Sequence, residues 1–188
     1  MAQHEPTLVR ARQDPLRARY REAPADAMIT DRGRAVRGLE TDPFHSFVAP
    51  GSQDYGITWR FGLHSAVGGD HDGPNPGDLL CTALAACLDS TIRLIADRLR
   101  VTLASLEVDV TADVDVRGTL VVDRQVPVGF QRMRCRVDIE PAPGTDPTVL
   151  EKLLAGAEHS CVNLQTLRSG VPVETSVRYR GSGARERS

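Results

Sequence analysis

The chain has 188 residues, with 40% hydrophobic side chains, 26% charged side chains and a formal net charge of −2. This length suits one domain with a real core, and the totals argue against nucleic-acid binding, membrane insertion and disorder. Four cysteines are too few for a disulfide scaffold, and none has zinc-ribbon spacing. No apolar run approaches the roughly 20 residues of a membrane span, so we expect a protein of the reducing cytoplasm.

The N-terminal segment is basic, with five arginines and three prolines in its 24 residues. A basic arm can bind nucleic acid, but the region that follows is not basic, and a solvated arm is the simpler interpretation. We therefore predict an arm over 1–24 with one or two helical turns, a domain over 25–180 and a flexible tail over 181–188.

The first part of the domain predicts short strands. Glycine and proline interrupt 25–64, and the alternation of apolar and polar residues from Tyr55 to Leu63 is the strongest strand pattern there. The glycine-rich segment 68–77 that follows is predicted to be a loop.

A long helix follows this loop. Asn75 can cap it, Pro76 suits its first position, and apolar residues recur every three or four positions to about residue 100. Cys87 lies on this apolar stripe beside an alanine-rich flank. A partner subunit is the simplest cover for that flank.

Two strands are predicted next, over 106–116 and 128–140. Apolar residues alternate with acidic ones in the first strand and with arginines in the second. Opposite charges on the outer faces favour antiparallel neighbours. The apolar phase changes between Phe130 and Met133, which predicts a bulge there.

The last elements are two helices and a strand. Asp146 and Pro147 open one helix, Ser160 and Cys161 begin another that Gly170 closes, and 171–179 alternates as a strand. This order predicts an α+β fold in which an antiparallel sheet packs on the long helix.

The four cysteines differ in their predicted settings. Cys161 lies at a helix start, where unpaired N–H groups favour a thiolate, although a buried structural role is equally consistent with it. Cys87, Cys81 and Cys135 each favour a structural role when taken alone, because they lie on apolar faces. Cys87 and Cys161 are 74 residues apart, so any partnership between them must be made by the fold.

Two segments together resemble a known family. The run Pro74-Asn-Pro-Gly-Asp-Leu-Leu-Cys-Thr-Ala-Leu-Ala-Ala-Cys87 is similar to the signature helix of the OsmC/Ohr thiol-dependent peroxidases. His159-Ser-Cys161-Val-Asn-Leu, with the later Leu167-Arg-Ser-Gly-Val-Pro-Val-Glu174, resembles the second cysteine block of that family. The order of elements is also similar over about 25–180.

The resemblance implies an intertwined homodimer that reduces organic hydroperoxides in oxidative stress defence, without a cofactor or metal. It implies that Cys87 attacks the peroxide and becomes a sulfenic acid. Cys161 would then resolve it to a disulfide, which an external dithiol reduces.

The family also uses a carboxylate and an arginine beside the attacking thiolate. Asp78 matches the carboxylate position, although glutamate is usual there. Nine residues along a straight helix place Asp78 about 180° around and ~13 Å from Cys87. It therefore acts at the thiol only if the helix is broken or if it serves a partner's site, and otherwise it stabilises the helix start. The arginine is one of four candidates on the predicted N-terminal strands: Arg32, Arg34, Arg37 and Arg60.

Other residues have simpler interpretations. The sequence Asp70-His-Asp72-Gly resembles a metal-binding fragment but lacks the ligand series of a calcium loop, so a polar loop is favoured. His159 could stabilise a thiolate, but a solvated last-turn histidine is favoured. The aromatic residues Phe44, Phe47, Trp59 and Phe61 are predicted to line the core or a pocket.

Two alternatives to the enzyme stay open. One is a non-enzymatic OsmC-like stress or small-molecule-binding protein that keeps two buried thiols with little turnover. The other is a cysteine and histidine metal protein, against which the cysteine spacing argues.

Overall fold

A computed structural model describes residues 5–36, 42–51 and 55–177, together with the backbone of 178 and of 186–187. The helices are α1 (Leu8–Glu22), α2 (Pro76–Leu99), α3 (Val116–Thr119), α4 (Pro147–Ser160) and α5 (Val162–Ser169). The strands are β1 (Gly33–Val36), β2 (His45–Pro50), β3 (Trp59–Gly62), β4 (Leu103–Asp113), β5 (Arg132–Pro141), β6 (Val177–Arg178) and β7 (Glu186–Arg187). All strand pairs are antiparallel, so the predicted α+β class is confirmed.

Helix α2 is the long central helix that the sequence predicts. The Asn75 side chain accepts hydrogen bonds from the first turn, Pro76 occupies the first turn, and the Asp78 carboxylate accepts from the Asn75 N–H at 2.9 Å. This reciprocal capping box fixes the helix start. At the other end Arg100 adopts a left-handed conformation, with φ of 59°, and terminates the helix.

One face of α2 is buried against the rest of the chain. Leu84, Leu88, Ile92 and Ala96 are buried at intervals of four residues, and they pack against β4, α4 and α5. By length and composition alone α2 could cross a membrane, contrary to our expectation that no apolar run is long enough. The buried stripe is the arrangement of a core helix in a globular domain.

Strands β4 and β5 form the hairpin that covers this stripe. Asp109 is opposite Arg136 and Asp113 is opposite Arg132, so the predicted antiparallel pairing of acidic and basic faces is confirmed. The predicted bounds were wrong by three or four residues, because β4 ends at Asp113, α3 follows it, and β5 begins only at Arg132. The register shift lies at Leu103/Ser105 and not between Phe130 and Met133.

Helices α4 and α5 complete the core. Leu153, Ala157 and Leu164 are buried against the α2 stripe. Asp146 caps α4 through the Thr148 N–H at 2.8 Å, and α5 ends at Gly170, as the sequence predicts. The core therefore lies between α2, the β4–β5 hairpin and the helices α4 and α5.

The N-terminal segment is more ordered than the predicted arm. Helix α1 has 15 residues and lies against the C-terminal end of α2. Val9 is buried, its N–H donates to Asp97, and Arg10 Nε donates to the Arg98 carbonyl at 3.0 Å. The Arg98 guanidinium pairs with Asp14 at 2.8 Å and holds the pKa of that carboxyl below its usual value.

The remaining strands are shorter than predicted. In the 55–63 run only Trp59–Gly62 is a strand, and it pairs with β2 in the sheet β1-β2-β3. At the C-terminal end 171–176 has no regular structure, and only Val177–Arg178 pairs, with Glu186–Arg187 in the expected tail. Alternation of apolar and polar residues alone therefore does not make a strand.

Candidate thiol site

The fold brings Cys87 and Cys161 together. Cys87 lies near the middle of α2, and Cys161 is the one residue between α4 and α5, the helices that pack against α2. Cys87 packs against the buried cluster that contains Cys161, and its thiol is close enough to raise the pKa of Cys161. Two residues that are 74 positions apart in the chain thus become neighbours through packing of three helices.

Cys161 is held by both of its helices. Its N–H donates to the Ala157 carbonyl at 3.0 Å, and its carbonyl accepts from the Gln165 N–H at 3.0 Å. Its side chain is completely buried, with 0% exposure. The sulfur position is therefore fixed by the end of α4 and the start of α5 together.

Burial decides the protonation of Cys161. Desolvation raises the pKa of this thiol, and the backbone N–H groups of Leu164 and Asn163 lower it less than burial and the neighbouring Cys87 raise it. The N–H groups at the helix start do lower this pKa, as the sequence indicates, but burial outweighs them, which favours the buried role that the sequence left equally open. Cys161 is a protonated thiol at neutral pH.

Cys87 has a more open setting. It is half-buried, and the neighbouring Ala83 and Ala86 on its flank are exposed. The hydroxyls of Ser90 and Thr91 donate to the Cys87 carbonyl at 3.0 and 2.7 Å. The alanine-rich flank that the sequence singled out is thus open to solvent beside the more accessible thiol.

A further side chain links the two cysteine-bearing helices. Asn163 of α5 donates its Nδ2 hydrogen to the Ala83 carbonyl of α2 at 2.8 Å. Sequence reasoning did not select Asn163, because its bonding partner is a backbone atom 80 residues away. No local pattern could identify it.

Cys81 and Cys135 lie away from this pair, and a cavity of about 720 Å³ lies between α2, β5, α4 and α5. Cys135 lines the cavity, whose walls are mainly apolar and whose rim carries Arg132, Glu158 and Arg168. Burial is the largest cause that raises the pKa of Cys81 and of Cys135. No hydrogen bond between these two thiols is present in the described chain.

The structure gives Asp78 a capping position. Its carboxylate accepts from the Asn75 N–H, and its charge raises the pKa of Cys81, which is three residues away. The carboxylate makes no contact with Cys87 or Cys161 among the described side chains. A role of Asp78 at the thiols therefore stays a prediction that requires a second copy of the chain.

The arginine candidates are also separate from the thiols. Arg60 pairs with Asp72 at 2.9 Å, Arg32 and Arg34 are exposed, and Arg37 lies outside the described residues. No ion pair or hydrogen bond joins an arginine to Cys87 or Cys161 in the parts of the chain that the structure describes.

The polar loop before α2 belongs to a charged cluster. The His45 ring lies between Asp42 and Asp72, at 2.9 Å from Asp72, and both carboxylates raise the pKa of His45. Its side chain is only 7% exposed. Asp72 also accepts from Arg60, so the Asp70-His-Asp72 fragment ties the loop to β2 and β3. Within the described residues no three metal-ligating side chains are grouped to hold a metal ion.

The structure also places the aromatic residues and His159, for which the sequence predicted roles. Trp59 is 48% exposed, so within one chain it is not a core residue and only its pocket-lining role stays a prediction, whereas Phe44, Phe47 and Phe61 are partly buried. His159 is exposed in the last turn of α4, as the solvated interpretation predicts.

Comparison with known proteins defines the class. The family model described as OsmC-like protein matches residues 69–176, which include α2, the hairpin and both helices of the second cysteine block. The chain therefore belongs to the OsmC-like protein family. No curated protein sequence matches it.

Solved structures support the same fold at low sequence identity. An OsmC-like protein from Mycoplasma pneumoniae is 16% identical, with a TM-score of 0.59, and the match covers 76% of this chain and 89% of that one. An organic hydroperoxide resistance protein OsmC from Legionella pneumophila is 21% identical, with a TM-score of 0.55 and coverage of 76% and 92%. An organic hydroperoxide resistance protein from Elizabethkingia anophelis is 18% identical, with a TM-score of 0.54 and coverage of 77% and 91%.

Proposed function

We propose that this protein is a thiol-dependent peroxidase that reduces organic hydroperoxides through Cys87 and Cys161. The observation that carries the proposal is the contact between these two thiols, which the fold makes from residues far apart in the sequence. Structural neighbours named organic hydroperoxide resistance proteins support the same kind of substrate.

The roles of the two thiols follow from their access. Cys87 is half-buried beside an exposed flank, whereas Cys161 is completely buried. A peroxide from solvent meets Cys87 first, so Cys87 is the attacking residue. Cys161 is the neighbouring thiol, which burial keeps protonated, and it reacts with the sulfenic acid that forms on Cys87.

The proposed catalytic cycle has three steps. The Cys87 thiolate attacks one peroxide oxygen and breaks the O–O bond, which gives a sulfenic acid and an alkoxide that takes a proton to become the alcohol. The Cys161 thiol condenses with the sulfenic acid, which forms the disulfide and releases water. An external dithiol then reduces the disulfide through a mixed disulfide and is itself oxidised.

We also propose that the working form is a homodimer. The alanine-rich flank beside Cys87 is exposed, and the apolar residues Ile57, Trp59 and Leu94 are 49%, 48% and 41% exposed. A second copy would cover these surfaces and could supply an arginine from β1–β3 and the Asp78 carboxylate to each thiol site. A cation beside the attacking sulfur would stabilise its thiolate.

Thiol counting tests the proposal. One equivalent of an alkyl hydroperoxide should remove two free thiols per chain in the wild type, and a dithiol should restore them. Cys87→Ser should keep all three of its remaining thiols, whereas the matched Cys135→Ser variant should still lose two. If Cys87→Ser reacts as fast as the wild type, the assignment is wrong.

The cavity favours one alternative, a non-enzymatic binding protein. Its volume of about 720 Å³ and its apolar walls would suit a small apolar molecule. In that case the hydroperoxide would leave the thiol count unchanged, while an apolar fluorescent probe would bind with the same affinity to the wild type and to Cys87→Ser.

A further inference from the structure

One polar contact connects α2, which carries Cys87, with α5, which begins directly after Cys161. Asn163 Nδ2 of α5 donates to the Ala83 carbonyl of α2 at 2.8 Å, across 80 residues of sequence. Among the described residues no other side-chain hydrogen bond joins α5 to α2.

The position of this bond relative to the cysteines is specific. In an α-helix the N–H of each residue donates to the carbonyl four residues earlier, so the Ala83 carbonyl is also the acceptor of the Cys87 N–H. A carbonyl oxygen has two lone pairs and can accept both donors. Asn163 follows Cys161 by two residues, so one amide group connects the backbones beside both sulfur atoms.

The other contacts between these helices are apolar. Leu84, Leu164 and Cys161 are buried together, and such packing gives attraction with little directional preference. A hydrogen bond restricts both distance and angle. A disulfide has a narrow range of sulfur separation and dihedral angle, so small shifts of one helix along the other would hinder it.

We propose that Asn163 is a positioning residue that holds α5 against α2 at the separation where the Cys87 and Cys161 sulfur atoms bond. The proposal rests on the proposed redox function of that pair. Asn163 touches neither sulfur atom through its side chain and acts only through the Ala83 carbonyl.

The experiment measures the disulfide equilibrium directly. In a Cys81→Ser, Cys135→Ser background the chain reacts with oxidised glutathione, so that one protein disulfide forms and two glutathione thiols are released. The ratio of oxidised to reduced protein across glutathione buffers gives the equilibrium constant. Asn163→Ala should lower this constant about three- to tenfold, because the reduced helices lose the restraint of one net hydrogen bond that keeps the sulfur atoms at bonding separation, whereas the disulfide itself holds the oxidised helices in place. A tenfold loss corresponds to about 30 mV in reduction potential.

Two further variants separate positioning from general stability. Asn163→Asp keeps the side-chain size and favours the start of α5, but its carboxylate cannot donate to Ala83, so the constant should fall while thermal stability does not. Gln165→Ala is the matched control, because its Nε2 donates to the Glu158 carbonyl at 2.6 Å and does not reach α2. This variant should stay within about twofold of the background protein.

The outcomes are distinguishable. If the background protein forms the disulfide and both Asn163 variants form it equally well, the positioning role is wrong and the redox pair stands. An equal loss in Gln165→Ala would also overturn the positioning role. If the background protein forms no disulfide in any glutathione buffer, the redox function itself fails.

Discussion

Two regions of the molecule are held together by different forces. The helical core places Cys87 against Cys161 through buried apolar residues, among them Leu84 and Leu153, which are 1% and 0% exposed. The β1–β3 sheet is tied to the loop before α2 by charged contacts around His45, Asp72 and Arg60. Apolar packing does not depend on pH, whereas charged contacts do. The thiol contact should therefore be robust under conditions that loosen the sheet.

The largest expected effect comes from the core. Cys161→Ser should reduce steady-state peroxide turnover at least about a hundredfold, while Cys87 still reacts once and becomes a sulfenic acid, because only the resolving thiol is missing. A sulfenic-acid trapping reagent and a turnover assay together measure this. Cys81→Ser is the control and should keep turnover within about twofold, since Cys81 lies outside the pair.

A second change in the core tests its packing. Leu153→Ala should lower the free energy of unfolding by about 2–5 kcal/mol, because it leaves a cavity where the side chain is completely buried. Val162, which is 69% exposed, provides the control, and Val162→Ala should change stability by less than about 0.5 kcal/mol. Denaturant unfolding measures both, and equal effects would contradict the described core.

Asp78 lies where the two regions meet, at the start of α2. Asp78→Ala should lower the free energy of unfolding by about 1 kcal/mol, because the capping box is lost. Asp78→Asn keeps an oxygen that accepts from the Asn75 N–H, so it should restore most of that stability, and unchanged peroxide turnover in this variant would limit Asp78 to the cap. Lost turnover with intact stability would instead assign the carboxylate to the thiol site of a second copy.

The smallest effect is a pH dependence in the sheet region. The folded pKa of His45 is raised by Asp42 and then by Asp72, so its contribution is fully present below the unfolded pKa of about 6.5. That contribution is lost as pH rises through the folded pKa. Asp70 at 3.9 Å and Arg60, which pairs with Asp72, are the other charged groups around the ring.

The measurement compares melting temperatures between pH 5 and 9. The difference in Tm between the wild type and His45→Gln should be largest at the acidic end and should shrink as the pH rises. His159→Gln, at an exposed histidine of α4, should show no such trend. A difference that grows with rising pH would contradict the proposed cluster.

Capping and alternation patterns in the sequence predicted the helix start and the hairpin, which depend on residues close together in the chain. The start of α2 follows from Asn75, Pro76 and Asp78 in consecutive capping positions, and the hairpin follows from alternation with opposite charges. The docking of α1 on α2 could not be predicted this way, because Val9 and Asp97 are 88 residues apart. The strand predicted for 171–179 also depended on a neighbouring strand that alternation does not identify.

The site was predictable only in part for the same reason. The resemblance selected Cys87 and Cys161, and the fold brings these two thiols together, whereas spacing alone could not pair them. The sequence left a thiolate and a buried structural thiol equally open at Cys161, because the helix start was visible in the sequence but the complete burial of this residue was not. Asn163 was missed because its partner is 80 residues away, and His45 because one of its two carboxylate partners, Asp72, is 27 residues away.

The attachment of α1 has a consequence for the central helix. The capping box fixes α2 at Asn75, and the contacts of Arg10 and Val9 fix its other end near Arg98. Helices fray from their termini inwards, and Cys87 lies about midway between the two anchored ends. The amide of Cys87 should therefore be among the last in the helix to exchange its hydrogen with heavy water, so that the sulfur starts each encounter from the same place.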